Sequence, residues 1–211
     1  MSGAPAGRAD GSTVPVSGQA PLLNIANVLT VIRILLVPVF VVVLFTAGGR
    51  DVDWRLAAFG VFAVAAFTDR LDGQLARSRG LVTWFGALAD PIADKALTGA
   101  ALIGLSVLGL VPWWITIVIM GRELGVTALR LVVLRHGVIP ASRGGKAKTA
   151  AQTLAIGLFL LPLPMLLPSV APLMLVVQWV ALVVALVLTV VTGVDYVVQA
   201  LRARGARSAR P

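Results

Sequence analysis

From about residue 34 to residue 200 the chain keeps returning to apolar stretches, at roughly 34–47, 54–77, 84–109, 113–135, 149–166 and 173–200. A helix needs ~20 mostly apolar residues to cross the hydrocarbon core of a bilayer; the later five stretches are of that order, and the first, 14 residues long, is shorter. Hydrophobic residues make up 58% of the 211 and mean hydropathy is +0.95, against about 45–50% apolar in soluble domains. These features predict an all-α integral membrane protein with six transmembrane helices. Ahead of the first stretch, PLLNIANVLTVIR carries Asn24, Asn27, Thr30 and Arg33 among apolar residues. The last three recur every three residues, close to a helical period, which predicts a short interfacial helix. Residues 1–20 are rich in Gly, Pro and Ser without an apolar core, the composition of a disordered tail rather than a cleavable signal. A membrane domain over 21–201 and a basic tail over 202–211 complete the division.

Charge sets the expected orientation. The connections after the first, third and fifth stretches hold only Arg50 and Arg55, beside Asp51 and Asp53. The opposite side collects Arg77, Arg79, Arg135, Arg143, Lys146, Lys148, Arg202, Arg204, Arg207 and Arg210. Basic loops stay in the cytoplasm, so both termini are expected there, in a multi-pass protein of the cell membrane. The same distribution explains the formal charge of +9 through lipid headgroups and topology rather than nucleic acid. The tryptophans read as anchors at headgroup level.

Nine acids are present, and four of them fall at Asp69, Asp72, Asp90 and Asp94. Carboxylates beside lipid are costly and point to function. Asp69 and Asp72 are three apart and Asp90 and Asp94 four apart, so each pair shares a helix face. The connection SRGLVT between them is short, which predicts antiparallel neighbouring helices and convergence of all four. Converging carboxylates near lipid need cations. With no cysteine and a single histidine, His136, the donors are oxygens, which suits one or two Mg²⁺ or Mn²⁺ ions. Gly73 and Gly86 allow a ligand or a facing helix close to the backbone, and Arg77 offers a planar fork to phosphate oxygens. The bland alternative is a set of salt bridges to Arg70, Arg77 and Lys95, which leaves the glycines without a purpose.

The stretch reads D-x-x-D-G-x-x-A-R, eight residues, then G-x-x-x-D-x-x-x-D, and in this it resembles the signature of the CDP-alcohol phosphatidyltransferases at every fixed position. The resemblance implies six transmembrane helices, a homodimer, and a pair of divalent metals held by Asp69, Asp72 and Asp90. Asp94 would contribute to that site and act as the catalytic base. It further implies that Asn27, Thr30, Asp69, Asp72, Gly73, Ala76 and Arg77 line the cytidine diphosphate moiety of CDP-diacylglycerol.

Four other segments bear on the acceptor alcohol. NIANVLTVIR, RELGVTALR and SRGGKAKT resemble elements of the phosphatidylglycerophosphate synthase branch, with Ala26 standing where that branch has proline, and TGVDYV resembles its last helix. The acceptor implied is glycerol 3-phosphate. Its dianion would need two or three of Arg122, Arg130, Arg143, Lys146 and Lys148. Inositol phosphates, which are also anionic, and phosphatidylglycerol are the alternatives within the family. The loop bases are otherwise explained as topology markers. A pairing of Arg122 with Glu123 is a further alternative, although adjacent helical positions do not face each other. Asp195, the lone acid of the last stretch, suits a structural hydrogen bond. An ion pathway is the remaining alternative, but transporters place charges at the midplane and repeat their halves, and no repeat is seen.

Overall fold

A computed structural model describes the backbone of residues 25–79, 84–134 and 143–208, and the side chains of residues 28–68, 92–93, 95–128 and 145–199. All regular structure among the described residues is helical: α1 (Ile25–Phe45), α2 (Val52–Arg79), α3 (Trp84–Val107), α4 (Trp113–Leu134), α5 (Arg143–Leu160), the single turn α6 (Leu163–Leu166) and α7 (Ala171–Ser208).

Three connections gather at one end of the bundle. Between α1 and α2 the chain reverses through Thr46–Gly49, with Ala47, Gly48 and Gly49 at positive φ. A Cβ on Gly49 would stand 2.5 Å from Leu108 Cδ2, so only glycine lets this turn sit against the end of α3. Asp51 then caps α2, its Oδ1 accepting from the backbone N–H groups of Asp53 (3.0 Å) and Trp54 (3.1 Å). At the end of α3 the N–H of Leu110 bonds Leu105 O and that of Gly109 bonds Ser106 O, the paired bonds that close a helix C-terminus. Pro162 ends α5, and the proline-rich stretch that follows folds into α6 and a short turn before α7. The last carbonyls of α5 are taken by side chains from two other helices. Arg55 Nη2 donates to Phe159 O, and Gln178 Nε2 donates to Leu158 O at 2.7 Å. Trp54, Trp113 and Trp114 are exposed at the starts of α2 and α4, at that same end.

The burial pattern is inverted relative to a soluble bundle. Leu35, Val42, Phe67 and Ile117 are more than 60% exposed, while Arg33 is fully buried and Glu123 is 2% exposed. Water would not support that arrangement; lipid does, because it solvates the apolar surface and drives polar groups inward. The stretches Val28–Gly49 and Pro168–Gln199 are long and apolar enough to cross a membrane. The chain is therefore membrane-associated. The other long helices carry the acids and bases of the candidate site, which dilutes their hydropathy. Inside, Phe40, Leu44, Phe62, Leu102, Leu105, Ile115, Ile119, Ile156 and Leu160 form one apolar core, with the rings of Phe40 and Phe62 6.1 Å apart.

Three expectations change. The interfacial helix and the first span are one continuous α1, because no breaker separates residues 25 and 37, and Thr30 and Arg33 point into the protein rather than to headgroups. The basic segment around Arg143, Lys146 and Lys148 is the start of α5 rather than a loop. Its glycines are overridden by good helix formers and by an ion pair at Lys148 described below, and Thr149 Oγ1 bonds Gly145 O as in a regular helix. Arg55, read as a loop base, is a buried helix cap. In addition, α7 continues into the basic segment as far as Ser208. The expected tail over residues 1–20 lies outside the described residues.

Candidate active site

The end of the bundle opposite the three turns holds the acidic motif. Asp69 and Asp72 lie in α2, and Asp90 and Asp94 in α3; their side chains lie outside the described residues. Helix register fixes their height. α1 and α2 run antiparallel from a tight turn, and Phe40 meets Phe62, so Arg33 lies level with Asp69 and Thr30 level with Asp72. Asp69 lies 17 residues into α2 from Val52, a rise of about 25 Å at 1.5 Å per residue, most of one hydrocarbon thickness. The spacings i, i+3 on one helix and i, i+4 on the next put each pair of acids on one side of its helix backbone, and carboxylate oxygens are donors of the kind that Mg²⁺ and Mn²⁺ take.

A second cluster lies deeper, built from four helices around Glu123. Lys95 Nζ on α3 reaches Glu123 Oε2 at 2.6 Å. Arg122 Nη1 is 3.1 Å from Oε1, and Lys148 Nζ on α5 also donates to Oε1. Gln152 Nε2 lies 3.4 Å from the same oxygen and donates to Thr189 Oγ1 on α7 at 2.8 Å. Glu123 is the only acid that Arg122 and Lys148 meet among the described residues. Among the described residues Arg122 and Lys148 share this one carboxylate, an excess of positive charge. Lys95 follows Asp94 directly in the chain, so this cluster adjoins the helix that carries half of the acidic motif.

Arg122 is held on both sides. Its Nη2 donates to Thr192 Oγ1 at 2.8 Å, while Nε is buried without a hydrogen-bond partner among the described residues. The stem lies across Gly193, where a Cβ would stand 2.9 Å from Arg122 Cγ and 3.1 Å from Nε. A partly buried guanidinium beside a second cation can receive the oxygens of an anion through its terminal nitrogens.

Of the bases expected at the acceptor phosphate, the structure brings Arg122 and Lys148 together. Lys146 is exposed on α5 and makes no ion pair among the described residues. The side chains of Arg130 and Arg143 lie outside the described residues, as do those of Asn27, Gly73, Ala76 and Arg77. Thr30 is buried on α1. Arg122 and Glu123 do pair despite being adjacent, because Arg122 turns along α7 and presents its far nitrogens to the carboxylate. Asp195 is exposed and accepts from Gln199 Nε2 at 2.8 Å, one turn on, a local structural bond. The residues not anticipated are Glu123 as the centre of the cluster, Gln152, Thr189, Thr192 and Gly193. A signal was present: the two threonines and the glycine fall at i, i+3 and i+4 in a run otherwise made of Val and Leu.

An all-helical membrane protein with a hard-oxygen acid motif at one end of the bundle, beside buried cations, defines a class of lipid-modifying enzymes acting on phosphate groups. The chain belongs to the CDP-alcohol phosphatidyltransferase family, whose profile matches residues 23–191. It is 54% identical over 192 residues to a protein of Mycobacterium tuberculosis (strain H37Rv) named "Probable phosphatidylglycerophosphate synthase", covering 90% of this chain and 88% of that one. It is 40% identical over 190 residues to the CDP-diacylglycerol--glycerol-3-phosphate 3-phosphatidyltransferase of Bacillus subtilis (strain 168), covering 83% of this chain and 94% of that one. The Escherichia coli (strain K12) protein of the same name is 39% identical over 140 residues, with 63% and 74% covered.

Proposed function

We propose that the chain transfers the phosphatidyl group of CDP-diacylglycerol to the hydroxyl of glycerol 3-phosphate, releasing CMP, in the synthesis of phosphatidylglycerol and cardiolipin. The observation that carries the choice of acceptor is the partly buried Arg122 and the buried Lys148, two cations that share the one carboxylate of Glu123 among the described residues and so leave an excess of positive charge. A phosphomonoester dianion matches that excess, whereas a neutral alcohol would leave it uncompensated.

Asp69, Asp72, Asp90 and Asp94 would hold two divalent cations, Mg²⁺ or Mn²⁺, which when bound neutralise the diphosphate and improve CMP as a leaving group. Asp94 takes the proton of the acceptor hydroxyl as its oxygen forms a bond to the phosphatidyl phosphorus and the bond from that phosphorus to CMP breaks. Asn27, Thr30, Gly73, Ala76 and Arg77 lie along the cytidine diphosphate. Arg122 and Lys148, with Arg130, Arg143 and Lys146, orient the acceptor by its phosphate. Six long helices, α1 to α5 and α7, cross the membrane with both termini and the site on the cytoplasmic side, in agreement with the basic residues collected there. The enzyme acts as a homodimer in the cell membrane.

Purified protein is given CDP-diacylglycerol with Mg²⁺ or Mn²⁺ and, in turn, glycerol 3-phosphate, an inositol phosphate or phosphatidylglycerol. CMP release with glycerol 3-phosphate alone is expected. Release only with another acceptor overturns the choice of alcohol, and no metal-dependent release with any of them overturns the reaction.

A further inference from the structure

Thr189, Thr192 and Gly193 share one face of α7, and on that face the side chains of Gln152 and Arg122 end. Each threonine donates its own hydroxyl hydrogen to the carbonyl one turn earlier, Thr189 to Ala185 O and Thr192 to Leu188 O, both at 2.6 Å. The oxygens therefore present lone pairs to their neighbours. Thr189 accepts from Gln152 and Thr192 from Arg122, each at 2.8 Å. Gly193 completes the face by leaving out the methyl group that would meet the Arg122 stem at 2.9 Å.

We propose that this face of α7 is a positioning platform for the cations that bind the acceptor phosphate, and so a determinant of acceptor specificity. Thr192 and Gly193 set the plane of the Arg122 guanidinium. Thr189 holds Gln152, which steadies Glu123 and through it Lys148. None of the three needs to touch substrate. A guanidinium binds phosphate through a planar fork whose direction matters, and a misplacement near 1 Å is enough to cost on the order of 10²-fold in rate. An apolar groove between α5 and α7 or the exposed valines of α7 place no such demand on particular atoms; this face does. The inference rests on the reading that Arg122 and Lys148 receive an anionic acceptor.

The test uses the full-length enzyme in detergent, with KM measured separately for glycerol 3-phosphate and for CDP-diacylglycerol. Thr192→Val and Gly193→Ala are expected to raise the KM for glycerol 3-phosphate about tenfold, the scale of a lost hydrogen bond to a charged group, with the KM for CDP-diacylglycerol unchanged. Thr192→Ser keeps the hydroxyl and stays near wild type. Arg122→Lys, which keeps the charge and loses the fork, separates the two readings. If it raises the acceptor KM while Thr192→Val and Gly193→Ala do not, the platform is wrong and the acceptor site stands. If Arg122→Lys leaves the acceptor KM unchanged, the acceptor site falls and the platform with it. If Thr192→Val and Gly193→Ala raise both KM values alike, or lower only thermal stability, the residues are merely structural and the proposal is overturned. Thr192→Val is nearly isosteric, so the test survives a Gly193→Ala chain that fails to fold.

Discussion

Glu123 on α4 and Lys148 on α5 form an ion pair whose side chains are only 3% and 5% exposed. Both charges have left water and cannot return to it without opening the bundle. Burying a pair costs several kcal/mol per ion in effective desolvation, which the attraction between them repays only with good geometry and further hydrogen bonds. Here Lys95, Arg122 and Gln152 supply those bonds. The cluster ties α3, α4, α5 and α7 together at one depth. Such an arrangement is a poor way to gain stability and a good way to hold two cations still.

Removing the shared anion therefore has a larger effect than removing any one cation. Glu123→Ala leaves the buried Lys148 and the partly buried Arg122 without their shared counter-charge, a loss of about 3–5 kcal/mol by the measure of broken buried pairs. The expected outcome is a sharply lower thermal midpoint in detergent and poor yield. Glu123→Gln keeps the shape and falls between the two. Thermal unfolding followed by tryptophan fluorescence checks the order, and a Glu123→Ala chain as stable as wild type would remove the basis for it.

At the opposite end, Arg55 serves stability alone. Its guanidinium closes the C-terminal carbonyl of Phe159 on α5, where a positive group also meets the negative end of the helix dipole. Arg55→Met should cost about 1.5–3 kcal/mol, the range for hydrogen bonds to charged groups, while KM for both substrates stays at the wild-type value. Unfolding and steady-state kinetics on the same preparation decide it, since a shifted acceptor KM would connect this end to the site.

How far the site was legible from the chain alone depends on whether its residues are local. The acid motif was readable because i, i+3 and i, i+4 spacings report a helix face without any tertiary information. The first turn was readable because Gly48 and Gly49 stand in the gap between the first two apolar stretches, whereas α5 stops at Leu160, short of the expected 166. The join of the interfacial segment to the first span was not, since polar residues at helical spacing suit a headgroup surface and a buried face equally well. The cluster around Glu123 was not readable either. Lys95, Glu123, Lys148 and Thr189 stand far apart in the chain and meet only once four helices have packed. Arg55 looked like a charge in a loop because its partner, a carbonyl 104 residues away, leaves no mark on the sequence.

Cation dependence separates the two halves of the site. In the proposed mechanism the acids of α2 and α3 are the metal half, and the cluster around Glu123 contains no second acid among the described residues. Chelation should abolish CMP release, and Mg²⁺ or Mn²⁺ should restore it, without changing the thermal midpoint by as much as Glu123→Ala does. Asp69→Asn and Asp72→Asn should each raise the metal concentration needed for half-maximal rate. If they leave that concentration unchanged while lowering the rate, the acids act elsewhere than at the metal.

Asp94 distinguishes binding from chemistry. It lies one turn beyond Asp90 on α3 and immediately before Lys95, whose ammonium is fixed to Glu123 at 2.6 Å. That bond anchors the backbone beside Asp94 to the carboxylate that Arg122 and Lys148 share, the proposed acceptor cations, which suits a base that must reach the acceptor hydroxyl. Asp94→Asn keeps the size and removes the basicity, and general bases contribute about 10²–10⁴-fold. The expected result is loss of turnover by at least that factor, with CDP-diacylglycerol still bound at near wild-type affinity in an equilibrium assay. Turnover within a few-fold of wild type would assign the proton to another group. Loss of donor binding in step with turnover would place Asp94 among the residues that only hold the cation.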